Sequence, residues 1–128
     1  MVCYLLKLES FPIKFIIEGV GQAEGELNRI KAPHSVENIW YSLPISGRVK
    51  IQDNAFAYFL TNIQVKPEHP TFIVKPGDVT YWPMSKAICV FWQSTKPYSE
   101  VNIIGRVTNN LNLFQLMKNL TRITLEKR

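Results

Sequence analysis

The chain has 128 residues, 46% hydrophobic and 12% aromatic, and a chain of this length buries about two-thirds of its unfolded surface, enough core for one domain over residues 1–128. Fifteen Lys and Arg against ten Asp and Glu give a net charge of +5, but apart from the adjacent Lys127 and Arg128 the basic residues stand singly along the chain. The clustered stripe that tracks phosphates is missing, so nucleic-acid binding is not expected. No run of ~18 apolar residues could span a bilayer, and residues 1–8 lack the basic start and cleavage site of a signal peptide. The expectation is a soluble, unprocessed protein of a reducing, cytoplasmic compartment, with Cys3 and Cys89 as buried thiols.

Residues 2–9 read as a first strand ended by Ser10, Phe11 and Pro12; residues 13–18 and 24–30 read as a hairpin joined through the Gly19, Gly21 and Gly25 cluster. The period then changes. Val36, Ile39, Trp40 and Leu43 lie at i, i+3, i+4 and i+7, the apolar stripe of a short helix with Pro33 in its first turn and Pro44 at its end. That spacing makes Trp40 a core plug. Residues 48–51 alternate, Gln52, Asp53 and Asn54 form a turn, and residues 55–60 return as an aromatic-rich strand. Residues 65–74, with Glu68, His69 and prolines at 67 and 70, read as a surface loop, and both His34 and His69 as exposed or capping residues.

The densest strand signal runs from residue 77 to 92 and on through residues 101–107. Residues 79–82 form a strand that Pro83 stops or places at an edge. Residues 87–92 are apolar at every position, so both faces of that strand should be covered. Gly105 interrupts the strand over residues 101–107, as a bulge or a close backbone approach would. Leu113, Phe114, Met117 and Leu120 suggest a second amphipathic helix over residues 112–120, and residues 122–126 a last strand. The sum is a mainly β fold, a closed or nearly closed barrel of about eight strands whose ends are plugged by two short helices.

Chemistry-bearing constellations are sparse. His34 and His69 have no Cys, Ser or Asp at triad or metal spacing, and no paired-acid, calcium-loop or phosphate-loop pattern occurs. No metal or cofactor is expected. What stands out is the aromatic content of the strands, and Tyr58, Tyr81, Trp82 and Phe91 are the candidate ligand-binding residues, because Tyr and Trp carry a polar tip that wants water or a partner.

Residues 32–40, read after a strand, a glycine turn and a strand, resemble the start of cyclophilins, where a hairpin leads into V-P-K-T-A-E-N-F; Pro33, Ser35, Glu37 and Asn38 match. Ile104-Gly105-Arg106-Val107 is similar to the cyclophilin F-G-K-V ending. Closer is the resemblance to a prokaryotic cyclophilin-like family of small proteins of unknown function, carried by Ile39-Trp40, Leu43-Pro44-Ile45, Gly77-Asp78, Tyr81-Trp82-Pro83, Cys89-Val90-Phe91-Trp92, Val101-Asn102 and Gly105-Arg106-Val107. The resemblance spans nearly residues 13–107 and implies a closed barrel with two capping helices. It does not carry the isomerase over. Where cyclophilins have their arginine in F-H-R-I-I followed by F-M-x-Q-G-G-D, this chain has Gly47-Arg48-Val49-Lys50-Ile51 and an aromatic strand, so Arg48 and Lys50 are catalytic candidates by strand position alone. The leading reading is a binding module for an apolar or proline-containing peptide or a small apolar ligand. A weak peptidyl-prolyl isomerase and a structural subunit of an assembly are the alternatives, and homo-oligomerisation is left open.

Overall fold

Along Ser10–Ile17 the fully buried side chains are Ile13, Phe15 and Ile17, every second residue, the period of a strand with one face on a core. The computed structural model describes residues 10–128, and the expected strand over residues 2–9 lies outside them. The elements are β1 (Ser10–Ile17), β2 (Gly21–Asn28), α1 (Pro33–Ser42), β3 (Ile45–Arg48), β4 (Lys50–Gln52), β5 (Phe56–Leu60), β6 (Asp78–Trp82), β7 (Ala87–Phe91), β8 (Asn102–Asn109), a 3-10 helix (Leu111–Leu116) and β9 (Arg122–Lys127). β1 thus passes through Pro12 rather than beginning after it. Pro12 is tolerated because its side of the ladder is where β9 runs out: pairing with β9 starts at Ile13, and the Pro12 carbonyl accepts only the Arg128 amide (3.1 Å).

The strands make one antiparallel nine-stranded sheet in the order β3-β9-β1-β2-β8-β6-β7-β5-β4. Its two edge strands are consecutive in the chain, separated only by Val49, whose amide donates to Thr121 O (3.0 Å) and whose carbonyl accepts from Leu120 N (2.8 Å). The sheet is therefore curled into a nearly closed barrel, and β3 with β4 acts as one broken stave, which reconciles nine strands with the expected eight. The interior holds the main core, including Phe15, Leu27, Phe59, Tyr81, Ile88, Ile104 and Leu125.

Residues 87–91 are buried throughout, as their unbroken apolar run requires. Ile88 and Val90 face the barrel interior, whereas Cys89 and Phe91 belong to a second cluster on the outer face. β2 and β8 meet across a register shift, and a Cβ on Gly105 would lie 2.1 Å from the Glu26 carbonyl oxygen. Only glycine permits that approach.

The second helix is shorter and tighter than expected. Hydrogen bonds from Leu113 N to Asn110 O (3.1 Å) and Met117 N to Phe114 O (3.4 Å) are i to i+3, and Leu120 is 59% exposed. At three residues per turn Leu111, Phe114 and Met117 share a face, so the inward stripe survives; Leu120 is off it because the helix ends at Leu116 and the chain turns, with Leu120 itself left-handed (φ 72°). Trp40 is likewise corrected: Val36 and Ile39 are fully buried, but Trp40 sits at the rim, half-buried, 5.0 Å from the Phe11 ring and under the Lys127 ammonium. The tryptophan that fills the core is Trp92, 5% exposed, its indole N–H donating to Asn54 O at 2.9 Å.

Candidate functional site

Strand pairing across the outer face of β4, β5, β7 and β6 puts Lys50 opposite Tyr58, Tyr58 opposite Cys89, and Cys89 opposite Thr80. The neighbouring row is Gln52, Phe56 and Phe91. The rings of these rows, continued by Trp82 of β6 and Tyr98 of the loop after β7, touch in sequence: Phe91 stacks on Phe56 (4.6 Å), Phe56 meets Tyr58 (6.3 Å), Tyr58 meets Trp82 edge-on (5.6 Å), and Trp82 meets Tyr98 (6.3 Å). Phe91 and Phe56 are the buried floor, Tyr58 and Trp82 are half-buried, and Tyr98 is 65% exposed. Burial therefore falls off along the ladder toward solvent.

The floor is covered by residues 93–101. Pro97 is buried, the Trp82 indole N–H donates to Ser99 Oγ, and the Tyr98 hydroxyl donates to Gln52 Oε1 (3.2 Å). Rings and loop leave no room for a water-sized sphere between them. The open part of the face is its rim, at Tyr58, Trp82 and Tyr98.

Tyr58, Trp82 and Phe91 thus share one surface, but Tyr81 does not. Tyr81 is fully buried in the barrel interior, where its hydroxyl donates to Ile63 O (2.5 Å) and accepts from Val65 N (3.3 Å). Burial raises this phenol above its usual value, offset in part by the Val65 amide. Adjacent residues of a strand point to opposite faces, so Tyr81 and Trp82 could not both line one groove. The same alternation carries the signal for Phe56, two residues from Tyr58. Tyr98 lies on a loop, where no period marks it.

Arg48 and Lys50 differ in what holds them. The Arg48 guanidinium donates to Leu120 O (3.1 Å), tying β3 to the segment before β9, whereas Lys50 is exposed beside Tyr58 and forms no ion pair among the described residues. Cys89 offers no nucleophile, since burial pushes its thiol up to about 12 despite the Thr80 hydroxyl nearby. Thr80 Oγ1 makes no hydrogen bond of ordinary geometry, so that thiol contact is a weak one. Among the described residues no group of three or more His, Cys, Asp or Glu could hold a metal ion.

Acid and amide side chains do meet elsewhere, in a structural network. Glu68 Oε1 accepts from the Ser35 amide (2.7 Å) and hydroxyl (2.9 Å), and Oε2 from the His34 amide (3.1 Å), so a residue of the 61–77 loop caps the N-terminus of α1. Asn102, fully buried, accepts from Glu68 N (2.8 Å) and donates to Ser35 Oγ (3.0 Å) and Lys66 O (3.2 Å). Burial works to raise the Glu68 carboxyl, but the Ser35 and His34 amides, the Ser35 hydroxyl and the His34 ring outweigh it and hold the carboxyl below its ordinary value. Every oxygen of this carboxylate is occupied by the fold.

A cyclophilin-like family model matches residues 11–126. The chain belongs to the cyclophilin-like family. A hypothetical protein from Archaeoglobus fulgidus superposes with a TM-score of 0.78 at 29% identity, covering 94% of this chain and 96% of that one. McbB, solved in complex with tryptophan, superposes with a TM-score of 0.74 at 14% identity; 91% of this chain is covered but only 44% of McbB, a likeness of fold. No curated protein matches the sequence. In this cyclophilin-like protein the family-resembling residues have structural explanations: Asn102 anchors the loop that caps α1, Gly105 permits the β2–β8 approach, and Trp82 joins the aromatic ladder. No described helix is long and apolar enough to cross a membrane.

Proposed function

We propose that this protein is a binding module whose ligand rests on the aromatic ladder outside the barrel, with Tyr58, Trp82 and Tyr98 as its contact edge and Phe56 and Phe91 as its floor. The observation behind the reading is the ladder itself. Four rings in succession on one sheet face and a fifth, Tyr98, from the covering loop, graded from buried to exposed, offer large rigid contact area without an acid–base pair. The ligand class is an apolar or proline-containing peptide, or a small apolar ligand. The tryptophan bound by McbB, a protein of the same fold, makes a free aromatic amino acid a sensible first probe.

Titration of the labelled protein with tryptophan and with short proline-containing peptides, followed by NMR, tests this. Shifts should concentrate on the amides and rings of Tyr58, Trp82 and Tyr98. Trp82→Ala should weaken binding by about thirtyfold, the size of a ~2 kcal/mol hot spot. Binding that survives Trp82→Ala unchanged would sink the site.

Lys50 supports a second reading, weak prolyl isomerisation. Rotation about an X–Pro bond has a barrier of ~20 kcal/mol and breaks no bond, so an apolar surface with one donor at the prolyl nitrogen could catalyse it. Exposed, without an ion-pair partner among the described residues, and beside Tyr58, Lys50 is such a donor. A protease-coupled proline-peptide assay should then show a rate above background that falls in Lys50→Ala and persists in Arg48→Ala. Background rates at high protein concentration remove this reading and leave the first standing.

A further inference from the structure

A separate cleft of about 730 Å³ opens further along the outer face of the barrel, between Ile30 and Lys31, the loop of residues 69–75 and the outer side of β8; its Val74 and Ile103 also pack against the cluster that holds Phe56 and Phe91. That size is in the ~300–1,000 Å³ range of small-ligand sites. None of the aromatic-ladder residues lines it. We propose that this cleft is a second ligand site, built for a small amphipathic carboxylate, with the apolar chain against Ile30, Ile73, Val74 and Ile103 and the carboxylate met by Lys31 and Lys75.

Two features carry the assignment. The first is apolar surface left in water at the mouth: Ile30 is 65% and Ile73 83% exposed, while Ile103 and Val74 continue the apolar lining inward. The second is charge. Of the ionic groups lining the cleft, Arg106 is neutralised by Glu26 at 3.1 Å, and Asp78, 7% exposed, accepts the Lys75 amide at 2.9 Å. Lys31 and Lys75 are both exposed, and neither ammonium forms an ion pair among the described residues. Two ammoniums against one carboxylate leave the cleft positive, and the charge is complementary to an anion.

His69 fixes one wall. Its backbone is left-handed (φ 44°), and its Nδ1 lies 2.7 Å from the Lys31 carbonyl. A carbonyl only accepts, so Nδ1 carries the proton and the contact ties the loop to the residue that supplies the ammonium. Two isolated cations beside apolar walls fit a single carboxylate rather than a phosphate backbone, which would need a row of them.

The test is an NMR titration of the full chain at low ionic strength with sodium octanoate, using octanamide as the uncharged control. Octanoate should give saturable shifts at Lys31, Thr71, Val74, Lys75 and Ile103, and octanamide should bind roughly fivefold more weakly, the worth of an exposed ion pair. Lys31→Gln combined with Lys75→Gln should bring octanoate down to the octanamide level while leaving signal dispersion intact. Ile73→Ser should weaken both compounds. Absence of saturation, equal binding of octanamide, or no effect of the double variant would overturn the proposal. Shifts confined to Tyr58, Trp82 and Tyr98 would also overturn it, and would instead place the ligand on the aromatic ladder.

Discussion

Replacing Asn102 by Leu keeps the size of a fully buried side chain and removes all three of its hydrogen bonds, to Glu68 N, Ser35 Oγ and Lys66 O. Each buried group left unpaired costs about 1–3 kcal/mol, more than the ~1 kcal/mol that a hydrogen bond nets, because its desolvation is no longer compensated. The Glu68 amide and the Lys66 carbonyl are only part-buried, so water recovers some of that cost, and the added apolar burial of Leu returns some more. The expected loss is about 2–4 kcal/mol, a large part of a typical ~5–15 kcal/mol stability. In urea the unfolding midpoint should fall by about 1–2 M with an unchanged slope. The control is Asn109→Leu on the same strand, where the side chain is exposed and should shift stability by less than ~0.5 kcal/mol. If Asn102→Leu lost less than ~1 kcal/mol, the network would not be holding the 61–77 loop onto α1, and the account of Glu68 as a remote cap would fall with it.

Glu68 makes the same network pH-dependent. Its folded value lies below the ordinary 4.5, so its contribution is fully present above pH 4.5 and is lost as pH falls through the folded value; Glu68→Gln should flatten the acid limb of a stability–pH curve in that window and lower the plateau above it. Gly105→Ala would put a methyl carbon 2.1 Å from the Glu26 carbonyl oxygen, so β2 and β8 must separate; a loss of about 3 kcal/mol or more in chemical denaturation is expected, and a near-neutral result would contradict the close approach. Cys89, with its thiol pushed up to about 12, should resist iodoacetamide at pH 8 in a Cys3→Ser background until the protein is unfolded, and rapid labelling of the native state would show that the outer cluster opens.

The strands were legible because their signals are local. An unbroken apolar run at residues 87–91 demands cover on both faces, and Gly105 inside a strand demands a close neighbour; both hold. The miscast elements depend on distances that sequence does not carry. Trp40 lies on the helical stripe, yet whether a stripe residue reaches the centre or the rim depends on where the helix docks, and α1 docks at the barrel mouth with Ile39 inward and Trp40 against Phe11. Residues 111–117 satisfy a three-residue period as well as a longer one, and the left-handed Asn110 (φ 66°) starts the tighter turn. The contact between Glu68 and residues 34 and 35 crosses more than thirty positions, and no composition rule links a loop acid to that helix start.

The candidate site was legible in part for the same reason. Period two sorts strand residues into two faces, but it does not say which face is the inside of a barrel, and on β7 both faces are apolar. The interior takes Ile88, Val90 and Tyr81. The surplus aromatics must then find cover outside, where α1, docked at the barrel mouth, does not reach and where residues 93–101 together with Val74 supply it. These segments cover the floor at Phe56 and Phe91 but leave Tyr58 and Trp82 half-buried, although Ser99 and Tyr98 reach Trp82. A sheet with more apolar face than its own chain can cover leaves a graded, half-wet aromatic edge, and a ligand with a ring or a proline to bury can complete what the loop leaves open.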